Sequence, residues 1–340
     1  MSTSREDLSS RTLPFMTLSD GSTTAPPAPF PPSMTPTQRA TERFKVHGGV
    51  IITGGAGTLG LSCARSMLDH GASSIYLWDL ASTLQTSSSS ISELTTSFPD
   101  RIIKSVPVDV TDEDAVSRAL SESGGEISHL FCFAGVVSCV PAMEIGIKEW
   151  RRVIEINATG AFICARAIAR YITERDGRGQ NPSHTEPNSR NDGSRSDSTH
   201  GEATREYKAT DSAPQSVPPP GGRSITLIAS ISAHRVNFPQ PQVAYNVSKT
   251  SILALKSSLA AEWAHLGIRV NSISPGYMDT VLNAGGGTIA RARDIWAERN
   301  PMGRMGAVGE LDGVCVLLAS RAGSYIQGAD LVVDGGGVVF

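Results

Sequence analysis

VIITGGAGTLGLSCARSMLDHGA, residues 50–72, is the stretch whose reading decides the fold. It opens on a β-branched run that suits a buried strand. A glycine-rich turn follows, and the segment through Met67 carries a helical pattern with Gly71 just beyond it. A strand, a glycine turn and a helix in immediate succession let backbone N–H groups and the helix N-terminus approach a pyrophosphate. Gly54, Gly57 and Gly60 are the positions where that approach would occur, with Thr58 and Leu59 between them. Glycines also serve ordinary tight turns, so the context must carry the reading.

Working outward, short β-rich runs alternate with helical patterns: GVIIT, SIYLW, IIKSVPV, HLFCF, SITLI, IRVNSI and DLVV. That alternation predicts an α/β fold with a doubly wound parallel sheet covered on both faces. The second run, SIYLWDL, ends in Asp79, somewhat over twenty residues past the glycine turn. An acidic side chain there can accept both hydrogen bonds of an adenosine ribose diol and would repel a 2′-phosphate. No Arg or Lys stands in the loop to attract one, so the pattern favours NAD over NADP, with NADP the alternative. A turn or helix-cap role for Asp79 is the structural reading.

Two-thirds of the way along, AYNVSK (244–249) places Tyr245 four residues before Lys249. Ile252, Leu253, Leu255, Leu259 and Trp263 continue an amphipathic rhythm, and Gly267 offers a stop. Residues i and i+4 share a helix face, so a phenol and an ammonium would stand side by side. A neighbouring cation favours a phenolate, which makes the pair a candidate acid/base couple. Taken alone, the spacing does not separate that role from two solvated side chains.

The rest of the 340 residues sets bounds. Residues 1–44 are a Ser/Thr/Pro mixture, and residues 175–222 hold almost no large apolar side chains. Neither offers enough to bury to offset the entropy of ordering, so both are expected to be disordered: a tail over 1–44 and an insert over about 175–222. Residues 45–340 then form a single domain interrupted by that insert. A formal net charge of -3 with scattered basic residues gives no surface for nucleic acid. Cys63, Cys132, Cys139, Cys164 and Cys315 form no CxxC pair, which predicts reduced core thiols and neither a disulfide nor a metal site. No apolar run approaches the roughly 20 residues that span a bilayer, so no membrane partner and a cytoplasmic location are expected.

With the glycine loop, YNVSK, SPGYMDT and VVDGG in that order, the sequence resembles the short-chain dehydrogenases/reductases, over residues 47–337. The tail PMGRMG…SRAGSYIQGADLVVDGG is similar to the compact single-domain branch, which implies a Rossmann-like fold. The resemblance implies hydride transfer between a nicotinamide and a secondary alcohol or ketone. Its tetrad maps onto Asn157, Ser232, Tyr245 and Lys249, with Ser232 chosen because it lies thirteen residues before the tyrosine; Ser230 is the near miss. Tyr245 would move the proton, Ser232 would donate to the substrate oxygen, Lys249 would hold the nicotinamide ribose, and Asn157 a water. In SPGYMDT, Pro275, Gly276, Met278 and Thr280 would contact the nicotinamide end. In VDV, Asp109 and its neighbour Val110 match the adenine contact.

Two departures stand out. The glycines read TGxxGxxG rather than the family's TGxxxGxG. CFAG (132–135) replaces NNAG, which removes the hydrogen bonds of two asparagines and puts local sheet stability in question, although Ala134 and Gly135 still permit close approach of a cofactor. The run SAHRVNFPQPQ is similar to fungal members acting on sugars, polyols or small ketones, with His234 and Asn237 as candidate substrate contacts. TVLNAGGGTIARARDIWAERN stands where the family keeps a substrate lid. Leu282, Ile289 and Trp296 are candidates to cover the site there, or simply to pack the helix. A small-molecule substrate and a homodimer or homotetramer built on the helices near Asn157 and Tyr245 are implied. The rival readings are an NADP-dependent reductase of a larger ketone and a non-catalytic cofactor-binding scaffold.

Overall fold

The computed structural model describes residues 14–177, 222–280, 283 and 285–339. Its strands coincide with the predicted runs: β1 Gly49–Thr53, β2 Ser74–Asp79, β3 Ile102–Pro107, β4 Ile127–Cys132, β5 Arg223–Ile228, β6 Ile268–Pro275 and β7 Asp330–Val333. They form one parallel sheet in the order β3-β2-β1-β4-β5-β6-β7. The helices are α1 Pro36–Arg43, α2 Thr58–Asp69, α3 Ala81–Thr86, α4 Ser88–Ser97, α5 Glu113–Ser123, α6 Ile147–Ile154, α7 Gly160–Arg175, α8 Val243–Trp263, α9 Thr288–Glu298 and α10 Asp312–Ala319.

The two-residue period of each strand explains the two cores. Val50, Ile52, Ile75 and Leu77 face α2, α4 and α10 with Met67, Leu68, Leu94, Cys315 and Leu318. Ile51, Tyr76 and Trp78 face α5, α7 and α8 with Cys164, Ile168, Ile252 and Leu259. Every residue of β1, β4, β5 and β6 is buried, as a sheet covered on both faces requires. The polar end of Trp78 is met inside the core, where its Nε1–H donates to Ser123 Oγ at 3.0 Å.

The chain winds from β1 out to β3, then returns to place β4 on β1's other side. That reversal opens a crevice at the carboxyl ends of β1 and β4. CFAG leaves this edge intact: the Phe133 N–H donates to Thr53 O at 2.9 Å, and the Phe133 and Phe131 rings stack with centroids 6.4 Å apart. Backbone bonds and ring packing thus serve where the family's asparagines would.

The expectation of an unstructured tail over 1–44 needs correction for residues 14–44. The Ser/Thr/Pro composition also contains a helix start: Thr35 accepts from Gln38 N, the Gln38 side chain returns the bond to Thr35 N, and Pro36 takes the first turn of α1. Upstream, Thr23 Oγ1 donates to His265 O at 2.7 Å, and the Arg321 guanidinium lies 3.9 Å from the Phe30 ring centroid. Residues 1–13 and residues 178–221 of the insert lie outside the described residues. The insert's flanks leave from the amino edge of the sheet, where Arg175 at the end of α7 bonds Ile127 O at the start of β4 (3.1 Å). Buried Asp176 and Arg223 pair across those flanks at 3.2 Å.

Candidate active site

The glycine turn lies in the crevice between β1 and β4. Gly54 has φ +64°, and a Cβ there would come within 2.7 Å of Ala134 N, so the turn is pressed against the CFAG segment. A Cβ on Gly60 would come within 2.4 Å of Gly54 O. These contacts pack the start of α2 onto the turn. Gly57 caps α2 without any side-chain bond, so the first N–H groups, among them those of Thr58 and Leu59, remain for an anion. The loop therefore fits a dinucleotide pyrophosphate despite its altered glycine spacing.

Asp79 ends β2 beside this turn. Its carboxylate accepts from Ala56 N at 3.1 Å and from Leu80 N at 2.8 Å, so it ties the loop to the strand end. The structural and ribose readings are therefore compatible at one side chain. Asp109 accepts from Thr111 N (2.9 Å) and Thr111 Oγ1 (2.7 Å) in a local turn after β3, and Val110 is buried beside it. At the other end of the cleft, Pro275 closes β6 and Gly276 N bonds Val333 O (2.9 Å). Met278 and Thr280 are buried next in line, Met278 paired with Gly306.

Three members of the expected tetrad converge. Asn157 does not simply open a helix: it sits in a π-helical turn, Glu155–Thr159, between α6 and α7. Such turns often accompany functional positions. Its amide exchanges bonds with the Val136 backbone (2.8 and 2.9 Å) and donates to Ser248 Oγ (2.9 Å). Lys249 Nζ donates to Ile228 O at 2.8 Å and lies 5.6 Å from the Tyr245 ring centroid. A Cβ on Gly135 would lie 3.3 Å from Asn157 Oδ1 and 3.5 Å from Lys249 Nζ. Asn157, Lys249 and the CFAG segment therefore meet at one point.

Burial pulls the Lys249 ammonium down to about 8, with the Cys132 thiol opposing it. The same cause pushes the Tyr245 phenol up to about 12. Tyr245 as a whole residue is half-buried. In the protein alone, desolvation thus outweighs the expected pull of Lys249 toward phenolate. The opposing influence, which lowers it, comes from the Ser230 side chain.

That influence draws attention to Ser230, the near miss, beside Ser232. Ser230, immediately after Ala229 at the end of β5, accepts from Ser232 N at 3.1 Å and donates to Ser232 Oγ. Ser232 stands one step behind, its Oγ 3.0 Å from Ser230 Oγ and 3.3 Å from the Gln242 Nε2 that donates to it. Counting thirteen residues back from Tyr245 selects Ser232 because the count presumes a fixed connector length. The turn Ile231–Ala233 instead sets the two serine hydroxyls side by side.

His234 also needs correction as a substrate contact. Its Nε2 lies 2.9 Å from Asp330 Oδ2 and 3.1 Å from Ser274 Oγ, so it is engaged with β6 and β7. Asn237 donates to Tyr277 Oη at 2.7 Å. Trp296 stacks on Tyr277 with centroids 4.2 Å apart and 6° between planes, and its indole donates to Gln240 at 3.1 Å. Leu282 lies outside the described residues. Sequence reasoning missed Ser230 as the phenol's partner, and it missed Tyr277, Gln240 and Gln242 altogether. The alternation Gln240-Pro241-Gln242, which puts two amides on one side of an extended segment before α8, was the available signal. Among the described residues, no group of three or more His, Cys, Asp or Glu could hold a metal, and no helix is long and apolar enough to cross a membrane.

Comparison with known proteins agrees with this geometry. The short chain dehydrogenase family profile matches residues 49–180, and a related profile described as enoyl-(acyl carrier protein) reductase matches residues 208–337. The chain is 29% identical over 320 residues to the NADP-dependent mannitol dehydrogenase of Hypocrea jecorina, covering 91% of this chain and 98% of that protein. It is 31% identical to the ribulose-forming D-arabinitol 2-dehydrogenase of Candida tropicalis, covering 86% and 93%. The crystal structure of gox2181 superposes with a TM-score of 0.69 at 28% identity, covering 88% of this chain and 99% of that one. Sheet order, the cofactor crevice, the Tyr245–Lys249 pair and these likenesses have one consequence: the chain belongs to the short-chain dehydrogenase family.

Proposed function

We propose that this oxidoreductase moves a hydride between a nicotinamide cofactor and a secondary alcohol carbon of a polyol or its ketose. The observation that carries the reading is the wall of the cleft. Asn237, Gln240, Gln242 and Tyr277 turn amide and hydroxyl groups toward one another beside Tyr245, which suits a substrate bearing several hydroxyls. The mannitol and arabinitol relatives point the same way by their names.

The cofactor, when bound, supplies the hydride acceptor or donor. Tyr245 takes the alcohol proton, or returns it to the ketone oxygen, at its Oη. Ser230, whose side chain lowers the phenol's pKa against the effect of burial, would donate to the same oxygen as charge develops there, giving up the bond it now makes to Ser232 Oγ. Lys249, steadied by Ile228 O, adds a cation behind the phenol, and Asn157 fixes the Val136 backbone at the cleft floor. Asp79 supports NAD as the preferred cofactor, because a 2′-phosphate would approach a carboxylate already holding the loop. The name of the Hypocrea relative supports NADP as the second reading. A homodimer or homotetramer built on α7 and α8 belongs to the same proposal.

Assaying mannitol, galactitol, arabinitol and the matching ketoses with NAD(H) and NADP(H) tests the proposal. Turnover of at least one polyol–ketose pair with a clear cofactor preference is expected. Turnover confined to apolar aromatic ketones would refute the substrate class.

A further inference from the structure

Tyr277 follows Gly276 just beyond β6, and side chains from two other stretches meet its phenol. Trp296 on α9 stacks on the ring with centroids 4.2 Å apart. An indole N–H only donates, so the Gln240 atom 3.1 Å from Trp296 Nε1 is the carbonyl oxygen. The Gln240 amide nitrogen therefore faces the other way, where it donates to Tyr277 Oη at 3.0 Å and to Gln242 Oε1 at 3.1 Å. Asn237 Nδ2 donates to the same phenol oxygen at 2.7 Å, while its own carbonyl oxygen stays buried without a partner. An amide nitrogen cannot accept, so Tyr277 Oη is the acceptor in both bonds and its proton takes part in neither. Among the described residues, nothing accepts that proton. Burial raises the pKa of the phenol against the two amide bonds that lower it, so the proton is held at neutral pH. Tyr277 also stands close enough to Tyr245 for its charge to raise the pKa of that residue, and Gln242 leads on to Ser232 Oγ at 3.3 Å. The unpaired donor and the proton-transfer groups thus share one site.

We propose that Tyr277 is a specificity-determining residue whose hydroxyl, fixed as a donor by Asn237 and Gln240, bonds a substrate hydroxyl other than the reacting one. The role rests on the substrate being a polyol or ketose, as proposed. A substrate hydroxyl accepts this bond and a methylene group does not, so an analogue lacking that hydroxyl leaves the donor unpaired and is rejected. Trp296 is a positioning residue, because its N–H holds the Gln240 carbonyl away from Tyr277. Without that N–H the Gln240 amide can turn over and present its oxygen to the phenol. The phenol proton then bonds inside the protein, and the substrate hydroxyl loses its donor.

The test pairs Tyr277→Phe and Trp296→Phe with substrates lacking single hydroxyls. Each variant keeps an aromatic ring in the stack and removes only a polar group. The parent and both variants are assayed with NADH and NADPH on the ketoses matching mannitol, galactitol and arabinitol, and on the monodeoxy analogues of whichever ketose the parent reduces. For the parent, one analogue should be poorer than the full ketose by about tenfold in kcat/KM. Tyr277→Phe should lose about the same factor on the full ketose, carried mainly by KM, and lose nothing further on that analogue, because the hydroxyl and its donor form one interaction. Trp296→Phe should lie between the two. A parent indifferent to every monodeoxy change would overturn the role of Tyr277. So would a Tyr277→Phe variant that keeps parental selectivity, or one whose loss is equal on the full ketose and on every analogue, as a purely structural effect would be. Parental selectivity in Trp296→Phe would remove its positioning role. A parent that reduces none of these ketoses overturns the polyol reading and this role with it, whereas a failed cycle in a parent that does reduce one overturns the role alone.

Discussion

Tyr245 and Ser230 illustrate how much rests on single atoms. Replacing Tyr245 by Phe keeps the ring against Lys249 but deletes the proton that Tyr245 would pass to the substrate oxygen. Turnover is expected to disappear while NADH titration by fluorescence still shows binding. Turnover within a few-fold of the parent would remove Tyr245 from the mechanism. Ser230→Ala should cost more than Ser232→Ala, by about tenfold in kcat, since it is the Ser230 side chain that lowers the phenol's pKa. The reverse order in steady-state assays would restore the thirteen-residue count.

His129 gives a residue-scale prediction about stability. It is buried between β4 and β5, Nδ1 2.8 Å from Ser224 Oγ and Nε2 3.0 Å from His47 O. Burial, with the nearby Arg269 charge second, lowers its pKa from 6.5 to about 3. The folded chain therefore holds this ring neutral while the unfolded chain protonates it. Its contribution is fully present above pH 6.5 and is lost as pH falls from there toward about 3. The upper limit is about 1.4 kcal/mol per pH unit. Urea unfolding between pH 7 and 4 should show a shallower loss for His129→Gln than for the parent. Equal slopes would show that other groups govern acid unfolding.

At the scale of elements, the β1–turn–α2 unit and the end of β2 act together through Asp79. Its bonds to Ala56 N and Leu80 N hold the loop against the strand, and in the proposed function its charge faces an adenosine ribose. NADH is expected to bind more tightly than NADPH. Asp79→Ala should narrow or reverse that preference while also loosening the loop, so the affinity for NADH falls as the affinity for NADPH rises or holds. Fluorescence titration of parent and variant with both cofactors decides it, and a parent that clearly prefers NADPH would reverse the assignment. These elements were legible because their signals are local. Thr53-Gly54-Gly55 and Asp79 declare a turn and a strand end within a few residues. Helix α1 was equally local, yet its capping box lay inside a Ser/Thr/Pro composition read as disorder, and composition averages out the one Thr35–Gln38 pair that starts a helix.

For the molecule as a whole, the insert and the assembly remain to be tested. The flanks of residues 178–221 leave from the amino edge of the sheet, where Arg175 bonds Ile127 O and Asp176 pairs with Arg223. The cofactor crevice lies at the opposite edge. Exchanging residues 178–221 for a short Gly/Ser linker, which keeps the Asp176–Arg223 pair, should leave catalytic constants within a few-fold of the parent. A loss of more than tenfold in a correctly folded and assembled variant would show that the insert acts on the site. Light scattering at micromolar concentration is expected to find a dimer or tetramer, and monomer alone would exclude α7 and α8 as its interface.

Taken by itself, the sequence determined the alternation of strands and helices, the parallel sheet, the glycine crevice and the Tyr245–Lys249 pair. Each of these depends on residue types repeated at short, regular spacings. Tertiary structure decided what depends on direction across a connector. The thirteen-residue spacing could not foresee that the turn Ile231–Ala233 bonds Ser230 and Ser232 to each other, so that the two hydroxyls act as a pair. His234 was a polar side chain in the right segment until Asp330, 96 residues on, was found holding its ring. Gln240, Gln242, Tyr277 and Trp296 come from three separate stretches, and their hydrogen bonds exist only because the sheet brings the carboxyl ends of β5 and β6 together. A hydrogen bond requires both distance and orientation. Sequence spacing carries orientation within one element, and packing alone carries it between elements.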